Sequence, residues 1–319
     1  MLKIILVMLF AVAVILVGLA GASRWLTGRA EAAYPPSGQI ISAAGRQVHV
    51  IRQQPKAAGQ YPPLVFIHGA FGQAEDFRLS LMPQTSERHD SIAIDRPGHG
   101  YSERGEAAAT PAQQAVMLRA GLQALALQHK PILIGFSYGG AVALAWALAY
   151  PDEVAGILLI NPASHPWPTP IDTSYRLAGL PVLGPLMLHS IVSPLGHLVM
   201  QKSAAGVFEP AAVPAAFAGV PLALTVRPAT YAANAEDIRS LKPFLAEQAL
   251  HYSKLKPPLL ILVSDRDNST SPQIHAHALA RQVPNATLIE VKGGGHPLHF
   301  SRPTEVLAAI AQLSEQAVR

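Results

Sequence analysis

Five short apolar runs constrain this chain more than any other feature. They are Leu64 to Ile67 (LVFI), Ser91 to Ile94 (SIAI), Ile132 to Ile134 (ILI), Gly156 to Ile160 (GILLI) and Leu259 to Val263 (LLILV). A strand with one wet face alternates apolar and polar residues; a strand covered on both faces reads as a continuous apolar run. Gln47 to Arg52 (QVHVIR) does alternate, as an antiparallel strand at a sheet edge would, and Thr287 to Val291 (TLIEV) completes the series. Helix-like stretches lie between them: Thr110 to Gln128, Ala141 to Ala149, Pro272 to Gln282 and Pro303 to Gln316. The first opens with a threonine cap and Pro111 at the first helical position. Strands alternating with helices imply an α/β fold class, with a mainly parallel central sheet and helices on both faces.

Two regions depart from that alternation. From Ala163 to Ala235 the only carboxylates are Asp172 and Glu209 and the only Lys/Arg residues Arg176, Lys202 and Arg227, while prolines recur throughout. Residues 163–235 therefore read as an apolar cap of short helices inserted into a core made of 46–162 and 236–319. At the other end, Ile4 to Ala22 is a run of 19 residues without a charge, about 28 Å long as a helix and close to the hydrocarbon thickness of a bilayer. Its length suits a transmembrane helix, an uncleaved membrane anchor over 1–27. A cleaved signal peptide is the alternative: its apolar core is shorter, about 7–15 residues, but Ala20-Gly21-Ala22 and Ala30-Glu31-Ala32 resemble its cleavage site. Residues 28–45, with Pro35-Pro36, read as a tether and the start of the fold. The soluble part is expected on the exported side, or secreted or periplasmic after cleavage. Lys3 on one flank and Arg24 and Arg29 on the other set the orientation weakly.

Composition narrows the chemistry. The chain has no cysteine, which excludes a disulfide scaffold, a thiolate zinc site, an iron–sulfur cluster and a cysteine nucleophile. A formal net charge of +4 over 319 residues, with no basic run, excludes a nucleic-acid binder. Half of the residues are hydrophobic and 14% charged, which excludes a disordered chain.

The sharpest local signal is Gly135-Phe136-Ser137-Tyr138-Gly139-Gly140, which follows ILI and precedes a small-residue helix. A serine hydroxyl is a poor nucleophile until it is held beside a base and next to donors for the oxyanion it creates. G-x-S-x-G on a sharp strand-to-helix turn supplies that setting, the two glycines lacking the Cβ atoms that would collide across the turn. Three more segments follow strands: His68-Gly69-Ala70-Phe71-Gly72, then Asp95-Arg96-Pro97-Gly98-His99-Gly100-Tyr101-Ser102, then Gly293-Gly294-Gly295-His296-Pro297.

In the order and spacing of these segments, over about residues 46 to 316, the chain resembles the α/β-hydrolase superfamily. It looks most like the serine hydrolases of the esterase, haloperoxidase and carbon–carbon-bond-hydrolase group. The resemblance implies Ser137 as nucleophile, His296 as general base, and an oxyanion hole made by the backbone N–H groups of Ala70 and Tyr138. The acid falls in Ser264-Asp265-Arg266-Asp267, where the family usually shows G-x-x-D. Aligning Ser264 with that glycine selects Asp267, and Asp265 remains as its neighbour. After the preceding strand the chain reads Asn161-Pro162-Ala163 and offers no carboxylate.

The other polar residues have plainer readings. His299 is an alternative to His296; His68 and His99 read as loop braces, and Asp95 and Arg96 as residues that hold their turn. His296 with His299, and His275 with His277, are pairs only, and metal sites need three or four converging ligands. No metal and no cofactor is expected.

The resemblance implies a cofactor-independent serine hydrolase acting through an acyl-enzyme on a small apolar acyl substrate: an ester, or a lactone or thioester. Its partners are that substrate and the membrane, through the N-terminal segment. A membrane-tethered hydrophobic-ligand-binding protein of the same fold, or an acyltransferase using the same intermediate, are the alternatives. Substrate identity and oligomeric state are not set by the sequence.

Overall fold

The computed structural model describes residues 1–43, 45–55 and 61–318. Eight strands form one sheet: β1 (Gln39–Ala43), β2 (Arg46–Gln53), β3 (Leu64–Ile67), β4 (Ser91–Ile94), β5 (Ile132–Phe136), β6 (Gly156–Ile160), β7 (Leu259–Ser264) and β8 (Ala286–Val291). Their order is β1-β2-β4-β3-β5-β6-β7-β8. β2 pairs antiparallel with both β1 and β4, and every other pair is parallel. The QVHVIR segment is antiparallel as expected but is not the edge. β1, which lies in the stretch read as tether and fold start, covers it; Ile40 on β1 is exposed, so the segment carries little of the pattern of a buried strand. Ala44, also in that stretch, lies outside the described residues.

The continuous apolar runs are buried on both faces. Val65, Ile67, Ile92, Ile94 and Leu133 enter one core cluster, whereas Leu64, Phe66, Ala93, Ile132 and Ile134 enter the other. Alternate residues of one strand thus feed opposite cores, as the twofold period of a strand requires. The first cluster is closed by α4 (Pro111–Gln123) and α5 (Tyr138–Ala149), the second by α2 (Ala74–Ser80), α3 (Met82–Thr85) and α12 (Pro303–Val318). α12 buries Val306, Ala309, Ile310 and Leu313, the i, i+3, i+4, i+7 stripe of an amphipathic helix. Thr110 and Gln113 form a reciprocal capping box at the start of α4. That helix stops at Gln123, short of the expected Gln128, and Ala126 just beyond it is left-handed at φ 48°.

Between β6 and β7 the chain forms α6 (Thr173–Ala178), α7 (Leu183–Met187), a single π-turn (Leu188–Val192), α8 (Ser193–Gly206) and α9 (Pro228–Gln248). α9 runs through position 235, where the expected insertion ends, because Leu241 and Leu245 on its last turns belong to the main core. After β7 come a π-turn (Gln273–His277) and α10 (Ala278–Gln282), and after β8 the short α11 (Leu298–Ser301). The N-terminal helix α1 (Leu2–Ala33) is long and apolar enough to cross a membrane. It continues past the expected start of the tether at Gly28, since Ser23 and Ala30 are buried and the helix is held along its second half.

The parallel register brings the ends of β3, β5, β6 and β7 to one edge, with Ile67 beside Gly135, Phe136 beside Ile160 and Ile160 beside Leu262. The motifs singled out above all follow strand ends on this carboxyl edge, the edge at which open α/β sheets bind ligands.

Candidate active site

Ser137 sits between β5 and α5 with φ 52° and ψ −117°. A residue with a Cβ avoids this region, at a cost of about 1–3 kcal/mol, unless its surroundings impose it. Here they do. The Ser137 N–H donates to the Ile160 carbonyl at 3.0 Å, and the Ser137 carbonyl accepts from Gly140 N at 2.9 Å and Ala163 N at 3.0 Å. The glycines of the motif are required by contact. A Cβ on Gly135 would lie 2.6 Å from the Gly139 carbonyl oxygen, and one on Gly139 only 2.1 Å from that of Ile67.

The Tyr138 and Ala70 amides donate no hydrogen bond among the described residues, whereas nearly all buried N–H groups in folded proteins find an acceptor. Tyr138 opens α5, so its amide also carries the positive end of the helix dipole. The loop bearing Ala70 is tied down from beneath. Arg96 Nε donates to the His68 carbonyl at 3.1 Å and Nη2 to the Gly69 carbonyl at 3.0 Å. His68 Nδ1 donates to the Gly69 carbonyl at 2.9 Å while its Nε2 accepts from Arg96 N at 2.9 Å. Burial, with the Arg96 charge beside it, pushes His68 down to about 3, so the brace stays neutral. Phe71 N donates to Asn234 Oδ1 at 2.9 Å.

Arg96 is fully buried and pairs with Asp237 of α9 at 2.6 Å and with Gln114 at 2.9 Å. Its guanidinium lies 4.2 Å from the centroid of the Tyr138 ring. One cation therefore fixes both segments that carry the undonated amides. Asp95 accepts from Ala74 N, Tyr101 N and His49 Nδ1, holding its turn. His99 Nε2 lies 3.2 Å from Arg96 Nη2. Asp237, Gln114 and Asn234 escaped the sequence reading. Asp237 carries a faint mark there, as one of a Glu-Asp pair just past a stretch almost without carboxylates.

On the opposite side, the two carboxylates after β7 diverge. Asp265 accepts from Gly293 N at 2.7 Å near the surface. Asp267 turns inward: Oδ2 accepts from His296 Nδ1 at 2.8 Å and Thr270 Oγ1 at 2.6 Å, and Oδ1 from Ser269 N at 2.7 Å. Burial alone would raise its pKa, but the His296 and Thr270 hydrogen bonds outweigh it and hold the carboxyl below its ordinary range. With Nδ1–H committed to a carboxylate, the neutral ring presents its lone pair at Nε2. Ser264, where the family has glycine, accepts from Arg266 N through its hydroxyl at 3.2 Å and so tightens the same turn.

Asn161 joins these loops. At φ 43°, it donates through Nδ2 to the His296 carbonyl at 2.6 Å and accepts from Ser264 N at 2.8 Å. In the sequence Asn161 is marked only by the want of a carboxylate at its position, because an amide after a strand looks like any turn residue. His299 stands apart from this arrangement. It is buried, its Nδ1 has no hydrogen-bond partner among the described residues, and burial pushes its pKa down to about 3. His275 Nδ1 accepts from Ser164 N at 3.2 Å. Among the described residues no group of three or more potential metal ligands converges.

Ser137, Asp267, His296, Ala70 and Tyr138 all line one cavity of about 920 Å³, which residues of the β6–β7 connection also wall. No hydrogen bond joins Ser137 to His296 among the described residues; catalytic contacts in unliganded enzymes are often long and tighten when substrate binds. The cavity is mostly apolar, with Val199, Met200, Phe217, Val226 and Ile238 in its wall. Asp76 also reaches it, its carboxyl raised to about 8 chiefly by burial.

Comparison with known proteins agrees with this architecture. The chain is 34% identical over 138 residues to a 2-hydroxymuconate semialdehyde hydrolase of Pseudomonas sp., covering 42% of this chain and 46% of that protein. It is 29% identical over 124 residues to a human monoacylglycerol lipase, covering 38% and 36%. An uncharacterized protein of Mycobacterium bovis is matched at 30% over 137 residues, 43% of this chain and 39% of its own length. The matched stretch thus spans less than half of each of these relatives. An alpha/beta hydrolase fold protein from Burkholderia ambifaria superposes with a TM-score of 0.70 at 20% identity, over 88% of this chain and 98% of that one. A thermophilic esterase from Thermogutta terrifontis gives 0.63 at 20%, over 88% and 99%. The family model for the alpha/beta hydrolase fold matches residues 62–303, which take in every strand end that lines the cavity, and the chain belongs to that family.

Proposed function

We propose that the chain is a membrane-anchored serine hydrolase cleaving an apolar carboxylic ester or related acyl compound through a Ser137-His296-Asp267 triad. The observation that carries this reading is the Asp267–His296 hydrogen bond at 2.8 Å, in one apolar cavity with a serine on a strained turn between two undonated amides. Ser137 Oγ attacks the substrate carbonyl carbon as its proton passes to His296 Nε2. The carbonyl oxygen becomes an oxyanion held by the Ala70 and Tyr138 N–H groups, and Asp267 stabilises the imidazolium. Collapse of the intermediate breaks the ester bond, and the leaving alkoxide takes the proton from His296. Water then attacks the acyl-enzyme, giving its proton to His296. The acid departs, and Ser137 recovers its proton.

Chain placement follows from α1. Leu16, Leu19, Ala20, Ser23, Thr27 and Ala30 are shielded along one stripe of the helix, and Glu31 pairs with Arg227 at 3.0 Å. Cleavage after Ala22 would discard half of that packed face, which supports an anchor that is retained.

The test of the chemistry is an organophosphonate probe, followed by p-nitrophenyl esters of graded chain length, with Ser137→Ala alongside. An adduct on Ser137 and loss of turnover in Ser137→Ala are expected. A protein that takes no adduct at neutral pH, or a variant that keeps its function as a ligand carrier would, rejects the reading. Mass spectrometry of the membrane-extracted chain tests the anchor: recovery of peptides from residues 1–22 is expected, and a mature N-terminus after Ala22 rejects it.

A further inference from the structure

The exposed large apolar side chains of the globular part are concentrated in one place. Ile40, Val116, Val213, Leu250 and Val318 are scattered, but Val182, Leu183, Leu186, Leu195, Leu198 and others lie exposed on consecutive cap elements. Leu198 is 81% and Val182 78% exposed. From Leu177 to Gln201 the chain holds no Asp, Glu, Lys or Arg, and Arg176 and Lys202 bracket the interval. Soluble surfaces rarely present a contiguous apolar patch of this kind without a partner.

The identity of that partner follows from where α1 meets the cap. The helix packs against the π-turn at Leu188–Val192, α8 and the turn at Leu222–Leu224. Its shielded stripe begins at Leu16, six residues before the charge-free run ends at Ala22. At 1.5 Å per residue that is about 9 Å of helix. Arg24 and Trp25, exposed just beyond Ala22, are the residue types that mark a bilayer interface. A helix that spans the bilayer over Ile4–Ala22 thus carries the cap roughly 5–10 Å below the interface, the depth at which apolar faces of interfacial helices reside. The 177–201 surface is continuous with the α1 contact and holds no Asp, Glu, Lys or Arg, its titratable side chains being His189 and His197.

We infer that the 177–201 face of the cap is a second membrane-contact surface, immersed in the same leaflet that α1 enters, and that it opens the acyl cavity to the lipid. α8 links the two. Gly196, Val199, Met200 and Ser203 line the cavity, whereas Leu195 and Leu198 on the same helix point to the outside. A single helix therefore separates the bilayer from the serine site. The substrate class that fits is an acyl ester partitioned in the membrane, entering sideways through the cap. This last step rests on the hydrolase reading above; the membrane contact itself rests on the anchor alone.

Absence of cysteine makes the test direct in the full-length chain. Single cysteines at Leu198, Val182, Leu250, Val116 and Leu9, each carrying a nitrobenzoxadiazole probe, are compared in phosphatidylcholine vesicles. The Leu198 and Val182 probes are expected to be blue-shifted and quenched by doxyl lipids, as at Leu9, while Leu250 and Val116 are quenched by aqueous iodide. Leu198 and Val182 probes that behave like Leu250 overturn the proposal. For delivery, Leu198→Glu combined with Val182→Glu is expected to lower kcat/KM on a vesicle-embedded long-chain ester about tenfold or more. Turnover of a soluble short-chain ester stays unchanged. An equal loss on both substrates overturns lateral entry. Lipid-immersed probes in a protein whose Ser137→Ala variant keeps full activity would leave the surface standing and reject the hydrolase.

Discussion

At the carboxyl edge of the sheet, a fully buried arginine reaches a carboxylate of α9, two carbonyls of a loop and the ring of Tyr138 at once. Between β6 and β7 lies an interval of 25 residues, 177–201, without Asp, Glu, Lys or Arg, and Val182, Leu183, Leu186, Leu195 and Leu198 stand in the open there. The edge is held by directional bonds whose loss leaves a buried charge unpaired; the cap is held by contacts that tolerate exchange. Reaction geometry needs the first kind of construction, since small displacements cost rate. A surface that meets lipid and admits a variable chain is served by the second.

Substitutions separate the two regions by size of effect. Ser137→Ala is expected to lower kcat by about 10⁵-fold or more, and Asp267→Asn by about 10⁴-fold. Asp265→Asn, on the neighbouring carboxylate, should stay within about threefold, since among the described residues its side chain bonds only Gly293 N, in the loop before His296. Ester kinetics on the three variants check this, and equal losses for the two aspartates would break the assignment of the acid.

Asp237→Ala, at a residue that does not line the cavity, removes the partner of buried Arg96 and should cost about 3–5 kcal/mol in urea unfolding. Because Arg96 sets both amide-bearing segments, residual activity should fall as well, with kcat more affected than KM. By contrast, the exposed cap residue Leu198 changed to Ala should alter stability by no more than about 0.5 kcal/mol. Comparable destabilisation by the two would erase the distinction.

Acid sharpens the same contrast, because the buried histidines lie on the edge. His68 and His299, pushed down to about 3 by burial, and His275, down to about 4, remain neutral in the folded chain. An unfolded imidazole takes up a proton near pH 6.5 or so. Below that pH the unfolded state binds more protons, so stability is greatest above about 6.5 and declines toward pH 4. Asp76 opposes this: raised to about 8, it keeps its proton where the unfolded carboxyl has lost it, and its contribution falls as pH rises from about 4 to 8. With His89, His99 and His165 also lowered, the histidines outnumber the raised Asp76 and Asp237. Stability should therefore drop between pH 6.5 and 4.5, by up to about 1.4 kcal/mol per pH unit for each uncompensated group, and the melting temperature with it. His299→Phe should make that slope shallower. A flat profile over this interval would remove these histidines from the account.

How much was legible depends on the range over which each feature is decided. The strands read clearly because a run such as LVFI or LLILV has only one comfortable setting, a position covered on both faces. Cap and helix boundaries read less well: α9 crosses the expected limit at 235, and α1 overruns Gly28, because both are extended by surfaces they dock onto. β1 was missed for the opposite reason, its edge position leaving it without an apolar pattern.

By itself the sequence determined the order of strands and turns, the strained serine with its two glycines, and an apolar segment able to span a bilayer. These are properties of short stretches, fixed by sterics and by hydrophobic pattern. The alignment of Ser264 selects Asp267 over Asp265, but tertiary structure alone decided that its carboxylate meets His296, that Asn161 ties their loops together, and that Arg96 finds Asp237 141 residues away. It also decided that the Leu188–Val192 turn and α8 seat themselves on α1. Such contacts depend on where distant strand ends arrive and on the low dielectric they enclose, and no local pattern records either.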